Sequence, residues 1–195
     1  MAITSEDIQW LRQATGVGMM DAKKALEAVD GNREAAVEAM RKRGAKVAAA
    51  KSDRAVKDGA VGTYVHANNK VAALVAVACE TDFVSRTEDF QSLAHELAVH
   101  VAAMNPKYLS PSDVPAEVIA KEEEIYREQL KGEGKPEAMW EKILPGKIAK
   151  FYSDTCLLNQ TFVKDDSMTV EQFVQAAVAK LGENIVVTGF SRLSI

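Results

Sequence analysis

The sequence predicts an α+β fold: a small N-terminal bundle of three helices, followed by an antiparallel three-stranded sheet packed with helices. Three observations predict it. The first 44 residues repeat a helical apolar spacing three times between breaks. From Gly59 the period changes to 2, in two β-rich runs joined by a turn sequence. The chain then closes on a further strand pattern, "NIVVTGFSRL", far in sequence from the other two. Short helices followed by strands that pair without βαβ alternation read as α+β with an antiparallel sheet.

The bundle comes first. Thr4 and Asp7 have the spacing of a capping box, and Ile8 and Leu11 recur behind them at helical intervals. "TGVG" breaks that helix. Ala22, Ala25, Leu26 and Val29 mark the apolar face of a second, ended by "DGN", and Ala36, Val37 and Met40 mark a third. Gly44 occupies the place of a C-terminal helix stop. A bundle this small has little core of its own and needs a neighbour or a partner for part of its surface.

Residues 45–58, "AKVAAAKSDRAVKD", are rich in Ala and Lys and poor in large apolar side chains, which predicts a solvated helical linker. The division that results is 1–50 for the three-helix module, 51–58 for the helical linker and 59–195 for the α+β core. Arg41, Lys42, Arg43, Lys46, Lys51 and Arg54 make a basic run through the junction. Scattered charges of this kind form either a solvated helix face or a stripe for phosphate or an acidic partner.

In the core, "VGTYVH" and "KVAALVAVACE" flank "ANN" and predict a hairpin; the second run is apolar nearly throughout and predicts a central or doubly covered strand. A helix over 87–104 follows, capped by Thr87, with Phe90, Leu93, Ala94, Leu97, Val101 and Met104 on one face and "NP" as its stop. Residues 110–155 read as helical. Pro115 suits the start of one helix, "GEGKP" ends it, and Pro145–Gly146 separates two further stretches. Thr169 with Gln172 predicts a capping box for the last helix.

Composition narrows the function. The chain has 195 residues, is 47% hydrophobic and 27% charged, and carries a net charge of −4, which describes a globular protein without a general affinity for nucleic acid. No apolar run approaches the roughly 20 residues of a membrane span, and the N-terminus lacks a signal-peptide layout. Cys79 and Cys156 stand apart and outside any CxxC pair, as expected in a reducing cytoplasm. Catalytic motifs are missing: there is no GxxxxGK[ST] and no GxSxG, and "TGVG" joins helix to helix rather than strand to helix. His66, His95 and His100 have no metal-ligand spacing. His95 and His100 lie roughly 140° apart around one helix, which shares no ligand face. No cofactor and no metal is expected.

One short stretch carries more. In "CETDFVSR", residues 79–86, Thr81 and Asp82 suit a helix N-cap. Phe83 has two readings: a core aromatic tucked under the sheet, or an exposed tip whose ring fills a partner's pocket while the adjacent charge fixes register.

Together, "LRQATGVGMMDAKKALEA", "CETDFVSR", "HVAAMNPKYLSPSDVPAEVIAKEEEIY", "QTFVKDD" and "NIVVTGFSRL" resemble, in order and over nearly the whole chain, the bacterial elongation factor Ts family. The resemblance implies a cytoplasmic guanine-nucleotide exchange factor for elongation factor Tu, acting in translation elongation without bond-making or bond-breaking chemistry. It implies that the first module is a ubiquitin-associated-like bundle that docks on the GTPase domain. Thr81, Asp82, Phe83 and Val84 are then the wedge that loosens the GTPase's magnesium and phosphate contacts. Arg12, Met19, Met20, Lys23, Lys24 and His100 are further candidate contacts. Longer family members carry two core units; this chain has one, and so resembles the short form, which pairs as a homodimer. The final strand, 185–193, and the helices around 136–155 are candidate pairing faces. Two other classes compete: an RNA-binding accessory protein using the basic run and Tyr64, and an adaptor whose bundle binds ubiquitin-like folds.

Overall fold

The computed structural model describes residues 3–195. Helix α1 (Ser5–Thr15) opens on the expected box: the Thr4 hydroxyl accepts the Asp7 amide at 3.2 Å, and the Asp7 carboxylate accepts the Thr4 amide at 3.0 Å. The same carboxylate takes the Arg33 guanidinium at 2.7 Å, which fastens α3 (Arg33–Ala49) to α1. The Thr4 hydroxyl and amide, then Arg33, hold the Asp7 carboxyl down to about 2. The "TGVG" corner is a helix-to-helix turn. Gly16 ends α1 with φ of 70°, a left-handed conformation that costs glycine little, and Gly18 starts α2 (Met19–Ala28). Leu11, Ala22, Ala25, Leu26 and Ala36 are the small buried core of the bundle.

Two expectations fail here. Gly44 does not stop α3, which runs on to Ala49. It is buried against α8 (Val170–Leu181), where a methyl group would already touch the Gln175 carbonyl at 3.7 Å. Glycine costs a helix roughly 1 kcal/mol relative to alanine, and here it lets two helices lie close. Beyond Ala50 the chain makes turns and a bend over 51–54 and irregular backbone over 55–57, not the helix expected there.

The sheet has the order β1 (Asp58–Val65), β2 (Val71–Cys79), β5 (Ile185–Ser194), antiparallel throughout, so the central strand is the apolar run. Ala73, Val75, Val77 and Cys79 alternate along β2 into the main core, against α5 (Glu88–Met104) and α8. Phe90, Leu93, Ala94, Leu97 and Val101 of α5 are buried there, while Met104 is exposed. Gly62 of β1 permits this seating, since a Cβ at that position would overlap the Ala94 carbonyl. The other face of the sheet is bare. Val61, Val65, Leu74, Val186 and Leu193 are all exposed on it. The strand is central, but only one of its faces is covered.

Before α5 lies α4 (Asp82–Ser85), and after it α6 (Ala116–Gly132) and α7 (Glu137–Thr155) form a helical pair. α7 is one helix, not two: it continues through Pro145, which forfeits a single amide donor. Residues 161–169 hold a short hairpin, β3 (Thr161–Phe162) and β4 (Asp165–Thr169), that has no signature in the apolar pattern. The Thr169–Gln172 box begins α8 as expected.

His100 of α5 is fully buried. Its Nδ1 accepts the Val163 amide at 3.2 Å, so Nε2 carries the proton and donates to Gln160 Oε1 at 3.0 Å. Gln160 passes the link to the Asp154 carbonyl at 2.9 Å. His100 thus ties α5 to the β3–β4 hairpin and the end of α7, and reaches no surface.

Two predictions follow from this packing. Gly62→Ala must lift α5 from the sheet, at a cost of about 1–3 kcal/mol. Differential scanning calorimetry should show a melting temperature lower by about 2–12 °C; no change would mean that α5 does not seat on Gly62. Burial lowers the His100 pKa from its ordinary 6.5, against a smaller opposing effect of the Gln160 bond. Below pH 6.5 the unfolded chain therefore binds a proton that the folded chain refuses, and stability falls with falling pH. The urea midpoint should drop between about pH 7.5 and about pH 5.5, and should drop less in His100→Gln.

Candidate partner-binding site

Beyond the end of β2 the chain projects a short helical turn. α4 spans Asp82–Ser85, and its Phe83 is 82% exposed. Of the two readings of that ring, the core one is wrong. The residue that tucks under the sheet is Val84, half-buried against the main core. An aromatic left in water at the end of a central strand is the exposed apolar feature to explain.

The turn that carries it is held from several directions. Ser85 is buried, and its hydroxyl donates to Asp58 Oδ1 at 2.7 Å. That hydroxyl, then the Gly59 amide and the Arg86 charge, lowers the Asp58 carboxyl below its usual range. Gln91 donates to the Ser85 carbonyl at 2.6 Å. Asp82 pairs with Arg86 at 3.0 Å on the surface, a contact worth about 0–1 kcal/mol. Thr81 has the extended backbone of an N-cap, but its side chain does not cap α4. Its hydroxyl donates instead to Glu183 Oε1 at 2.6 Å, while Glu183 Oε2 accepts the amides of Thr81 at 3.0 Å and Glu80 at 3.1 Å.

The exchange is reciprocal. Glu80 accepts the Asn184 amide at 2.7 Å, a bond that lowers the Glu80 carboxyl ahead of the charges of Arg54 and Lys51. The buried carboxamide of Asn184 donates to the Arg54 carbonyl at 2.8 Å. Glu80, Glu183, Asn184, Asp58 and Ser85 were invisible as site residues in the sequence, because their partners are brought together only by strand pairing. Glu183 lies 103 residues from the amide of Glu80 that it binds. Below the tip, Cys79 is a buried free thiol pushed up by burial and by the Glu183 charge.

The other candidate contacts separate into two groups. Arg12 lies in the last turn of α1, Met19 and Met20 in the first turn of α2, and Lys23 and Lys24 one turn on; all are exposed. Met19 and Met20 are 57% and 64% exposed, a second apolar feature at the surface. Among the described residues, no hydrogen bond or ion pair joins this group to the tip. His100 belongs to neither group, being internal.

Among the described residues, five of the six cations of the basic run, all but Lys46, have contacts within the protein. Arg41 donates to the Ser167 carbonyl at 2.6 Å, Arg43 pairs with Asp21 at 2.9 Å, Lys42 with Glu38 at 2.7 Å, and Lys51 donates to the Gly182 carbonyl at 2.6 Å. Arg54 pairs with Glu80 at 3.4 Å. Four of these contacts tie the bundle and the junction to neighbouring segments, and the Lys42–Glu38 pair lies within α3. A cavity of about 360 Å³ lies between the bundle and α8, lined by apolar side chains such as Met40, Leu93 and Phe173. Among the described residues, no three His, Cys, Asp or Glu side chains gather where they could hold a metal ion, and no helix is long and apolar enough to cross a membrane.

Comparison with known proteins places the whole chain in a family. A family model described as elongation factor TS matches residues 12–195. A protein of Fervidobacterium nodosum named elongation factor Ts is 48% identical over 195 residues, covering 100% of this chain and 99% of its own. One of Thermosipho melanesiensis with the same name is 49% identical over 193 residues, covering 99% and 98%. One of Geobacter sulfurreducens is 46% identical over 192 residues, covering 98% and 89%. With a matched family model and near-complete coverage on both sides, this chain belongs to the elongation factor Ts family, whose role is in translation elongation.

Proposed function

We propose that this chain is the guanine-nucleotide exchange factor of elongation factor Tu: it binds the GDP form, loosens the magnesium and phosphate contacts, and so lets GDP leave and GTP enter. The observation that carries this reading is the 82% exposed Phe83 on a turn held by hydrogen bonds at the end of the central strand. A translational GTPase holds its nucleotide through backbone amides, a lysine and a magnesium ion. A rigid aromatic pushed among those groups displaces them without reacting with them. The chain then needs no nucleophile, base or metal. Interface energy concentrates in a few buried aromatics, and a turn already fixed in place loses little freedom on binding.

Linkage completes the account. Whatever factor this protein takes from GDP affinity, GDP takes from its affinity for the GTPase. It therefore leaves once nucleotide rebinds and acts repeatedly. Met19 and Met20, flanked by Arg12, Lys23 and Lys24, form a second contact on the GTPase. Two contacts on one chain raise the effective concentration of the tip at its target. Ribosomes and their factors work in the cytoplasm, where the two buried free thiols stay reduced.

The bare face of the sheet supports a homodimer. An antiparallel sheet with apolar side chains on both faces calls for a second layer. A second copy supplies one by two-fold symmetry, since the same patch then meets itself. The pairing face is thus the sheet, including β5, rather than α7.

Two measurements test this reading. Release of a fluorescent GDP from elongation factor Tu should accelerate with sub-stoichiometric protein. Phe83→Ala should lose about 2–4 kcal/mol of that effect, while its melting curve stays within about 0.5 kcal/mol of wild type. Full acceleration by Phe83→Ala would remove the wedge. Sedimentation should find a dimer of the wild type and a folded monomer of Leu74→Glu; a dimer of Leu74→Glu would place the interface elsewhere.

A further inference from the structure

We propose that Glu183 is a positioning residue for the Phe83 tip: its carboxylate, supplied by the turn between α8 and β5, fixes the angle at which α4 leaves the sheet. This rests on the exchange-factor reading and names a part of the device that lies outside the tip itself. No bond of Glu183 needs to touch the GTPase.

Geometry supports the assignment. Oε2 accepts two successive amides, those of Glu80 and Thr81, at 3.1 and 3.0 Å, and Oε1 accepts the Thr81 hydroxyl at 2.6 Å. Three donors on one carboxylate leave the backbone before α4 no free rotation. Charge-assisted bonds of this kind are stronger than neutral ones and directional. Each of these two amides lies beyond the last paired residue of β2, at Cys79, so the sheet ladder does not satisfy them. Glu80 returns the contact by accepting the Asn184 amide at 2.7 Å, so each of the two turns is fixed by a side chain of the other. From this base the chain needs only two more residues to reach Phe83. A ring on a free hinge would sample many directions and lose that freedom on binding; here the direction is set beforehand.

The test uses three variants in the full chain, with elongation factor Tu and fluorescent GDP. Glu183→Ala removes all three acceptors, and should lower the maximal exchange rate at saturating protein by about tenfold or more, with a smaller change in the concentration for half-maximal rate. Glu183→Gln keeps a carbonyl oxygen for the two amides and turns its NH₂ group to the Thr81 oxygen, so it should restore the rate to within about threefold of wild type. Amide hydrogen exchange at Glu80 and Thr81 should quicken in Glu183→Ala and return in Glu183→Gln. A Glu183→Ala protein that is folded and as fast as wild type would overturn the proposal. So would a Glu183→Gln protein as slow as Glu183→Ala whose Glu80 and Thr81 amides are protected as in wild type, which would assign the loss to direct partner contact by the charge. If Glu183→Ala does not fold, Glu183→Asp carries the test: its shorter side chain draws the carboxylate back from all three donors, and an unchanged rate with quickened amide exchange at Glu80 and Thr81 would again overturn it. Failure of wild type itself to accelerate release would instead remove the exchange-factor reading, while the hydrogen-exchange result would still stand for the clamp.

Discussion

β2 is hydrogen-bonded on both edges and apolar on both faces, and the remaining architecture answers those two conditions. β1 and β5 satisfy its backbone donors and acceptors, which cannot be left unpaired in an apolar setting. α5 and α8 cover one face with the main core. The bundle meets this core chiefly along α8, whose outer surface receives α3 at Gly44, and Arg41 ties α3 to β4 at Ser167 as well. The uncovered face of the sheet and Phe83 beyond the end of the strand are apolar surfaces that this packing leaves in water.

Much of this was legible because it is local. Thr4, Thr87 and Thr169 are caps whose hydroxyls bond amides three residues on, so their meaning is contained in a few letters of sequence. The hairpin of β1 and β2 was legible for the same reason, as was the α5 apolar face. What stayed hidden depends on separation or on packing. Gly44 reads as a stop from its own neighbourhood and acts as a close contact with α8. Pro145 reads as a break and is carried within α7. The β3–β4 hairpin has only two residues in its first strand, too few for a period to show. Phe83 is the sharpest case. Its neighbours do not reveal whether it or Val84 is buried, and only the family motif favoured the exposed ring.

The charges divide along similar lines. The sequence shows a basic run but not that Arg41, Arg43, Lys51 and Arg54 each meet a partner from a distant segment. Such pairs contribute little stability each. Their effect is to direct how the bundle and junction lie on the core.

The clamp at Glu183 has a consequence for biosynthesis. Its two halves are 103 residues apart, and the strand that follows it is the last element of the chain. Contacts so distant in sequence form late and slow folding. A growing polypeptide that has already exposed its bundle, its hairpin and the TDFV letters still lacks the third strand and the carboxylate. The ring is present in the nascent chain long before it has a direction. The direction of the ring is therefore set only once the turn that carries Glu183 has been made, 102 residues after Thr81.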